Sequence, residues 1–213
     1  MSKIKIKNSK QKIADILLKI GCVNINFKNK FTLTSGKKSP VYVDCRKLIS
    51  FPKEREIVIN EMIKLIKSKY RKKVIVAGGE TAGIPYSSFI SHKLNMPMIY
   101  IRKQPKGFGK GKLIEGEYKK KSTSILIEDM ATDGGSKLHF INSLRKNALS
   151  VKDIYVVFFY NIYPVAKKNL NKMKINLNYL ASWHDIIEVS PNYISKKDQL
   201  KLEQYISSIE NGK

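Results

Sequence analysis

The chain has 213 residues, 42% of them hydrophobic, which suits one sizeable globular domain and not a disordered segment. Lys and Arg number 41 against 17 Asp and Glu, a net charge of +24, but the lysines are spread along the whole chain and only Arg46, Arg55, Arg71, Arg102 and Arg145 are arginines. Lysine with abundant Asn and Ile reads more simply as AT-rich codon bias than as a nucleic-acid stripe, where Arg is the preferred reader of phosphates and base edges.

No apolar run reaches the ~18 residues needed to cross a bilayer. Met1–Lys10 lacks the apolar stretch and cleavage site of a secretory signal, so a cytoplasmic address is expected. Cys22 and Cys45 have no metal-ligand spacing and read as buried thiols.

Ile13, Leu17 and Ile20 predict a helix over Gln11–Ile20, stopped by Gly21. Phe27–Asp44 alternates apolar and polar residues around Ser35-Gly36 and predicts short antiparallel strands forming a hood. Pro52–Ser68 returns to helix. Lys73–Ala77 is a strand closed by Gly78-Gly79, Ala82–Leu94 a helix, and Met98–Ile101 a strand. Gln104–Gly116 has no periodicity and reads as a long loop, which in a compact domain usually carries function. Ser124–Ile127 is a strand, Ser136–Ala148 a helix and Ile154–Phe159 a strand. Lys167–Met173 follows as helix, Ile175–Leu180 as strand, and the tail from Asp198 as helix. This alternation implies an α/β fold: a parallel sheet flanked by helices, one domain over residues 1–213, with the hood built largely from residues 1–50.

Three segments carry chemistry. In STSILIEDMATDGGSK a buried strand is followed by Glu128 and Asp129, then by a small, glycine-rich turn entering a helix. Free backbone N–H groups at such a turn suit a phosphate dianion, with the Thr132 and Ser136 hydroxyls as added donors. The two carboxylates suit sugar hydroxyls, so a ribose 5-phosphate is the expected ligand. Gly78-Gly79-Glu80-Thr81-Ala82-Gly83 is a second strand-end loop whose glycines let backbone amides approach a ligand, or serve a tight turn. Arg102–Lys112 interleaves cations with glycines and suits a lid closing on a polyanion, or a solvated basic loop.

Ile125–Ser136 resembles the phosphoribosyl pyrophosphate (PRPP) motif of type I phosphoribosyltransferases. FTLTSGKKSPVYVDCR from Phe31 to Arg46 and IRKxxKGFG…IEG from Ile101 to Gly116 narrow the resemblance to orotate phosphoribosyltransferases. The resemblance implies that fold, transfer of the phosphoribosyl group of PRPP to orotate in pyrimidine (UMP) synthesis, Mg²⁺ held mainly by PRPP with no direct protein ligand, and a homodimer with shared lids.

It implies Arg102, Lys103 and Lys106 at pyrophosphate, and Glu128 and Asp129 at the ribose. Met130 and Ala131 would also bind PRPP, Thr132, Asp133, Gly134, Gly135 and Ser136 would form the 5-phosphate cradle, and Gly79, Glu80, Thr81, Ala82 and Gly83 the pyrophosphate loop. Tyr42, Thr132 and Lys37 would face orotate. Arg102, Lys103 and Asp129 are the expected catalytic residues. Thr34, Phe108, Ala82 and Tyr160-Asn161 stand where many relatives carry cations or a histidine; Lys37, Lys38, Lys110 or Lys112 are candidate substitutes. A transferase for a purine base, or a PRPP-sensing regulator that binds nucleic acid, are the competing readings. His92, His139 and His184 lack metal-ligand spacing and read as structural or exposed.

Overall fold

The structure is a computed structural model that describes residues 5–32, 36, 38–105, 112–132 and 135–212. In chain order the elements are α1 (Ser9–Lys19), β1 (Val23–Ile25), β2 (Phe31–Thr32), β3 (Lys38–Ser39), β4 (Val41–Val43), a 3-10 turn (Cys45–Ser50), α2 (Pro52–Lys69), β5 (Ile75–Gly79), α3 (Gly83–Leu94), β6 (Met98–Ile101) and β7 (Ile114–Glu115). Then come β8 (Thr123–Ala131), α4 (Gly135–Lys146), β9 (Ser150–Phe159), α5 (Pro164–Lys172), β10 (Asn176–Ser182), α6 (Trp183–Val189) and α7 (Lys196–Glu210).

Local chemistry sets the helix ends. Asn8 accepts the Gln11 N–H at 2.9 Å to open α1, and Pro52 opens α2, where its missing N–H costs no bond. Ser182 and Asp185 form a reciprocal capping box on α6.

Six strands make one sheet in the order β10-β9-β8-β5-β6-β7. The first five are parallel, but β7 pairs antiparallel with β6, Tyr100 opposite Glu115 and Ile101 opposite Ile114. The expected parallel sheet is present, and at this one edge two residues of the segment read as loop fold back onto β6. The N-terminal pairs β1–β4 and β2–β3 are antiparallel, as the alternation in Phe27–Asp44 suggests.

Side chains of β8 alternate between two cores. Ile125 and Ile127 join the core with α1, α2, α3, α6 and α7, while Leu126 joins the one with α4 and α5. Cys22 and Cys45 are free and buried in the first; burial pushes the Cys22 thiol up to about 12, so neither is poised to react. No helix among the described residues is long and apolar enough to cross a membrane.

Candidate active site

The chain runs outward in opposite directions from β5 and β8: β6 lies on one side of the pair, β9 and β10 on the other. Ligands in open α/β sheets bind at the carboxyl ends of strands at such a switch point. The expected motifs converge there. β5 ends at Gly79, whose neighbour Gly78 pairs with Ile127, and β8 continues past it.

That continuation corrects one expectation. The strand does not stop at Ile127; Glu128, Asp129, Met130 and Ala131 belong to it, with Glu128 opposite Val156 and Ala131 opposite Phe159. Alternation therefore sends the adjacent acids to opposite faces of the sheet. Glu128 faces α4, where Lys137 Nζ lies 2.9 Å from its Oε2. Asp129 faces the other way, close enough to Cys45 and Tyr86 for its charge to act on both.

Both acids are buried, at 4% and 7% exposure. Burial pushes the Glu128 carboxyl up to about 7, against the pull of Lys137, with Asp129 adding to the rise and Lys103 opposing it. Burial likewise lifts Asp129 above the aspartate range, opposed by Lys137, by the Met130 N–H it accepts at 2.8 Å, and by Arg46.

The glycines of the second loop serve space more than conformation. None of Gly78, Gly79 and Gly83 has positive φ, so the tight-turn reading is not the reason for them. A Cβ on Gly79 would sit 1.9 Å from Glu128 Oε1, and one on Gly83 2.6 Å from the same oxygen. The loop is closed around the carboxylate. Its Glu80–Thr81 peptide is cis, and Glu80 Oε2 accepts the Lys103 N–H at 2.7 Å, which ties the loop to the basic segment.

The stem of that segment is ordered. Arg102 N–H donates to Leu113 O at 2.8 Å, and its guanidinium stands 4.0 Å from Glu115. Lys112 is exposed. On the N-terminal side, Tyr42 lies in β4 with its ring 5.7 Å from Phe31 and its hydroxyl 3.5 Å from Arg46 Nη2. Asp44 grips Arg46 twice, at 2.7 and 3.0 Å. Lys38 donates to Thr32 at 2.6 Å. Tyr160 is packed edge-on to Trp183 and stacked on Tyr163, so an aromatic cluster occupies the end of β9. His184 Nε2 stands 3.0 Å from Glu210 in the C-terminal helices.

Thr132 directly follows β8, and Gly135 and Ser136 open α4. Thr34, Lys37, Lys106, Phe108, Lys110, Asp133 and Gly134 lie outside the described residues. Two cations at the ends of quoted segments, given no role by the motifs, act on the acids: Lys137 in the first turn of α4, and Arg46 beyond β4. A faint signal existed for each, since Lys137 directly follows the cradle and Arg46 is one of five arginines.

Taken with the motif, this topology defines the class: a type I phosphoribosyltransferase fold with its strand-end site. No family model matches the chain. An orotate phosphoribosyltransferase of Ruegeria sp. is 41% identical over 176 residues, 82% of this chain and 78% of that protein. One from Rhizobium rhizogenes is 39% identical over 180 residues, 84% and 78% of the two chains. Among solved structures, the Aeropyrum pernix orotate phosphoribosyltransferase superposes with a TM-score of 0.74 at 26% identity, over 86% of this chain and 99% of that one. Leishmania donovani UMP synthase gives 0.78 at 30%, over 94% of this chain and 43% of that longer one. The chain belongs to the orotate phosphoribosyltransferase family.

Proposed function

We propose that the end of β8, the Gly79–Gly83 loop and the Arg102–Lys103 stem form one site, in which orotate N1 displaces pyrophosphate from C1 of PRPP. The C1–N1 bond forms, the C1–oxygen bond breaks, and the N1 proton is lost to solvent from an already acidic ring. The products are orotidine 5'-monophosphate and pyrophosphate. One observation carries this reading: two buried carboxylates at the switch-point end of β8 run directly into the loop and helix that suit a phosphate.

In this reading Glu128 and Asp129 accept from the ribose hydroxyls. The 5-phosphate rests on Thr132–Ser136, with Met130 and Ala131 leading into it. Arg102, Lys103 and Lys106 neutralise the departing pyrophosphate beside Gly79, Glu80, Thr81, Ala82 and Gly83. Glu128 Oε1 has no hydrogen-bond partner among the described residues, an unused acceptor beside the ribose position. Tyr42 stacks near the base, with Thr132 beside it, and Lys37 or Arg46 supplies the cation for the orotate carboxylate.

No group of three or more His, Cys, Asp and Glu among the described residues is arranged to hold a metal. The acids fit an Mg²⁺ carried on PRPP oxygens, the carboxylates holding the hydroxyls instead of the ion. When bound it would spread the leaving group's charge. The basic segment completes a homodimer by closing over the partner's site, in a cytoplasmic enzyme.

The test is Asp129→Asn. Turnover should fall at least about tenfold with the melting temperature preserved, as loss of a transition-state contact requires. Unchanged kinetics would remove Asp129 from the ribose.

A further inference from the structure

We infer that Lys137 is a positioning residue, the internal counter-ion that keeps Glu128 charged and turned beneath the Gly79–Gly83 loop. The inference rests on the reading of Glu128 as a ribose acceptor. It adds a residue to the reaction that lies outside the PRPP motif's acids and cradle.

The geometry around Glu128 is close-packed. Lys137 Nζ stands 2.9 Å from Glu128 Oε2, the two side chains 12% and 5% exposed. The other carboxylate oxygen has no hydrogen-bond partner among the described residues and is packed against Gly79 and Gly83, where no side chain would fit. Phe140, one turn along α4 from Lys137, lines the same hollow: a Cβ on Gly79 would meet its ring at 2.6 Å. A carboxylate in such a place is costly to ionise unless a cation is buried with it. The other charged groups acting on Glu128 are Asp129 on its own strand and Lys103 on the stem; the glycines bring none. Of the two cations, Lys137 has the larger effect.

Its position follows from the chain. β8 ends at Ala131 and α4 begins at Gly135, so the first turn of the helix that closes the phosphate cradle returns a lysine to the acid. Ribose acid and phosphate helix are thereby joined by one ion pair.

The experiment uses the full chain and follows kcat/KM for PRPP, with Mg²⁺ and orotate saturating, from about pH 6 to about pH 9.5. Lys137→Met should move the acidic limb upward by about one pH unit, lower the value about fivefold near pH 7 and about tenfold near pH 6, and recover toward wild type at the alkaline end. Lys137→Arg should restore the wild-type limb. In a Glu128→Gln background, Lys137→Met should change the rate less than about twofold, because the two act as a unit. An unshifted limb, or a full additional loss in that background, overturns the inference and places Lys137 on the substrate or in the fold instead. If the Met variant does not fold, Lys137→Gln carries the same comparison. A wild-type chain that forms no orotidine monophosphate would overturn the functional reading instead.

Discussion

A methyl group at position 79 has nowhere to go: it would overlap Glu128 Oε1 and press on the Phe140 ring. Gly79→Ala should therefore cost about 1–3 kcal/mol of stability, the usual range for overpacking, and displace the acid. Denaturant melts and PRPP kinetics should show both losses together.

Glu128 itself makes a signed prediction. Its folded pKa lies near 7, above the 4.5 of the free side chain, so a bound proton favours the native state. The cost of ionising it is absent below about pH 4.5, grows as pH rises, and is complete above about pH 7. Glu128→Gln should accordingly gain stability on the wild type between about pH 5 and about pH 8, by up to about 3 kcal/mol, while losing activity. A stability difference that does not change with pH would mean the acid is not raised. In sequence the two acids read as a pair. That they face opposite ways was hidden because Glu and Asp are poor strand formers, and the strand seemed to end before them.

The stem of the basic segment is fixed by β6 pairing with β7 and by Glu80 accepting from Lys103. Lys103→Ala should slow the chemical step while PRPP still binds; a wild-type kcat would exclude the residue from the leaving-group side. A second cluster is structural. Asp153, buried on β9, accepts from Lys69 and Tyr70 of the α2 end and from Asn176 at 3.2 Å on β10. Although burial alone would raise it, Lys69 and Tyr70 hold its carboxyl below the ordinary range. Asp153→Ala should cost about 3 kcal/mol, since it strands buried donors, and leave kcat unchanged because it lies at the amino end of β9, away from the site. The long periodic α2 and the short apolar β6 were legible almost to the residue. The two-residue β7 gives no periodic signal, and α6 was missed although Ser182 and Asp185 spell its capping box.

Charge and topology act over the whole molecule. Lys69, Arg71, Lys72 and Lys73 line a depression of about 670 Å³ at the amino ends of the strands, opposite the proposed site. The positive field is thus general, as the even spread of lysine implied. It should still steer a polyanion, so KM for PRPP should rise as salt shortens the Debye length from ~10 Å at 0.1 M to ~3 Å at 1 M. The alternation of helices and strands along the chain was readable in advance because it rests on periodicity. The place of Arg46 was not, because Asp44 holds it beyond the N-terminal strands, where its charge acts on Asp129.

One reaction decides the assignment to orotate. Purified protein, PRPP and Mg²⁺ should release pyrophosphate on addition of orotate, one for each orotidine 5'-monophosphate formed, and release none above background with adenine, guanine or hypoxanthine. Pyrophosphate release driven by a purine and not by orotate would contradict it.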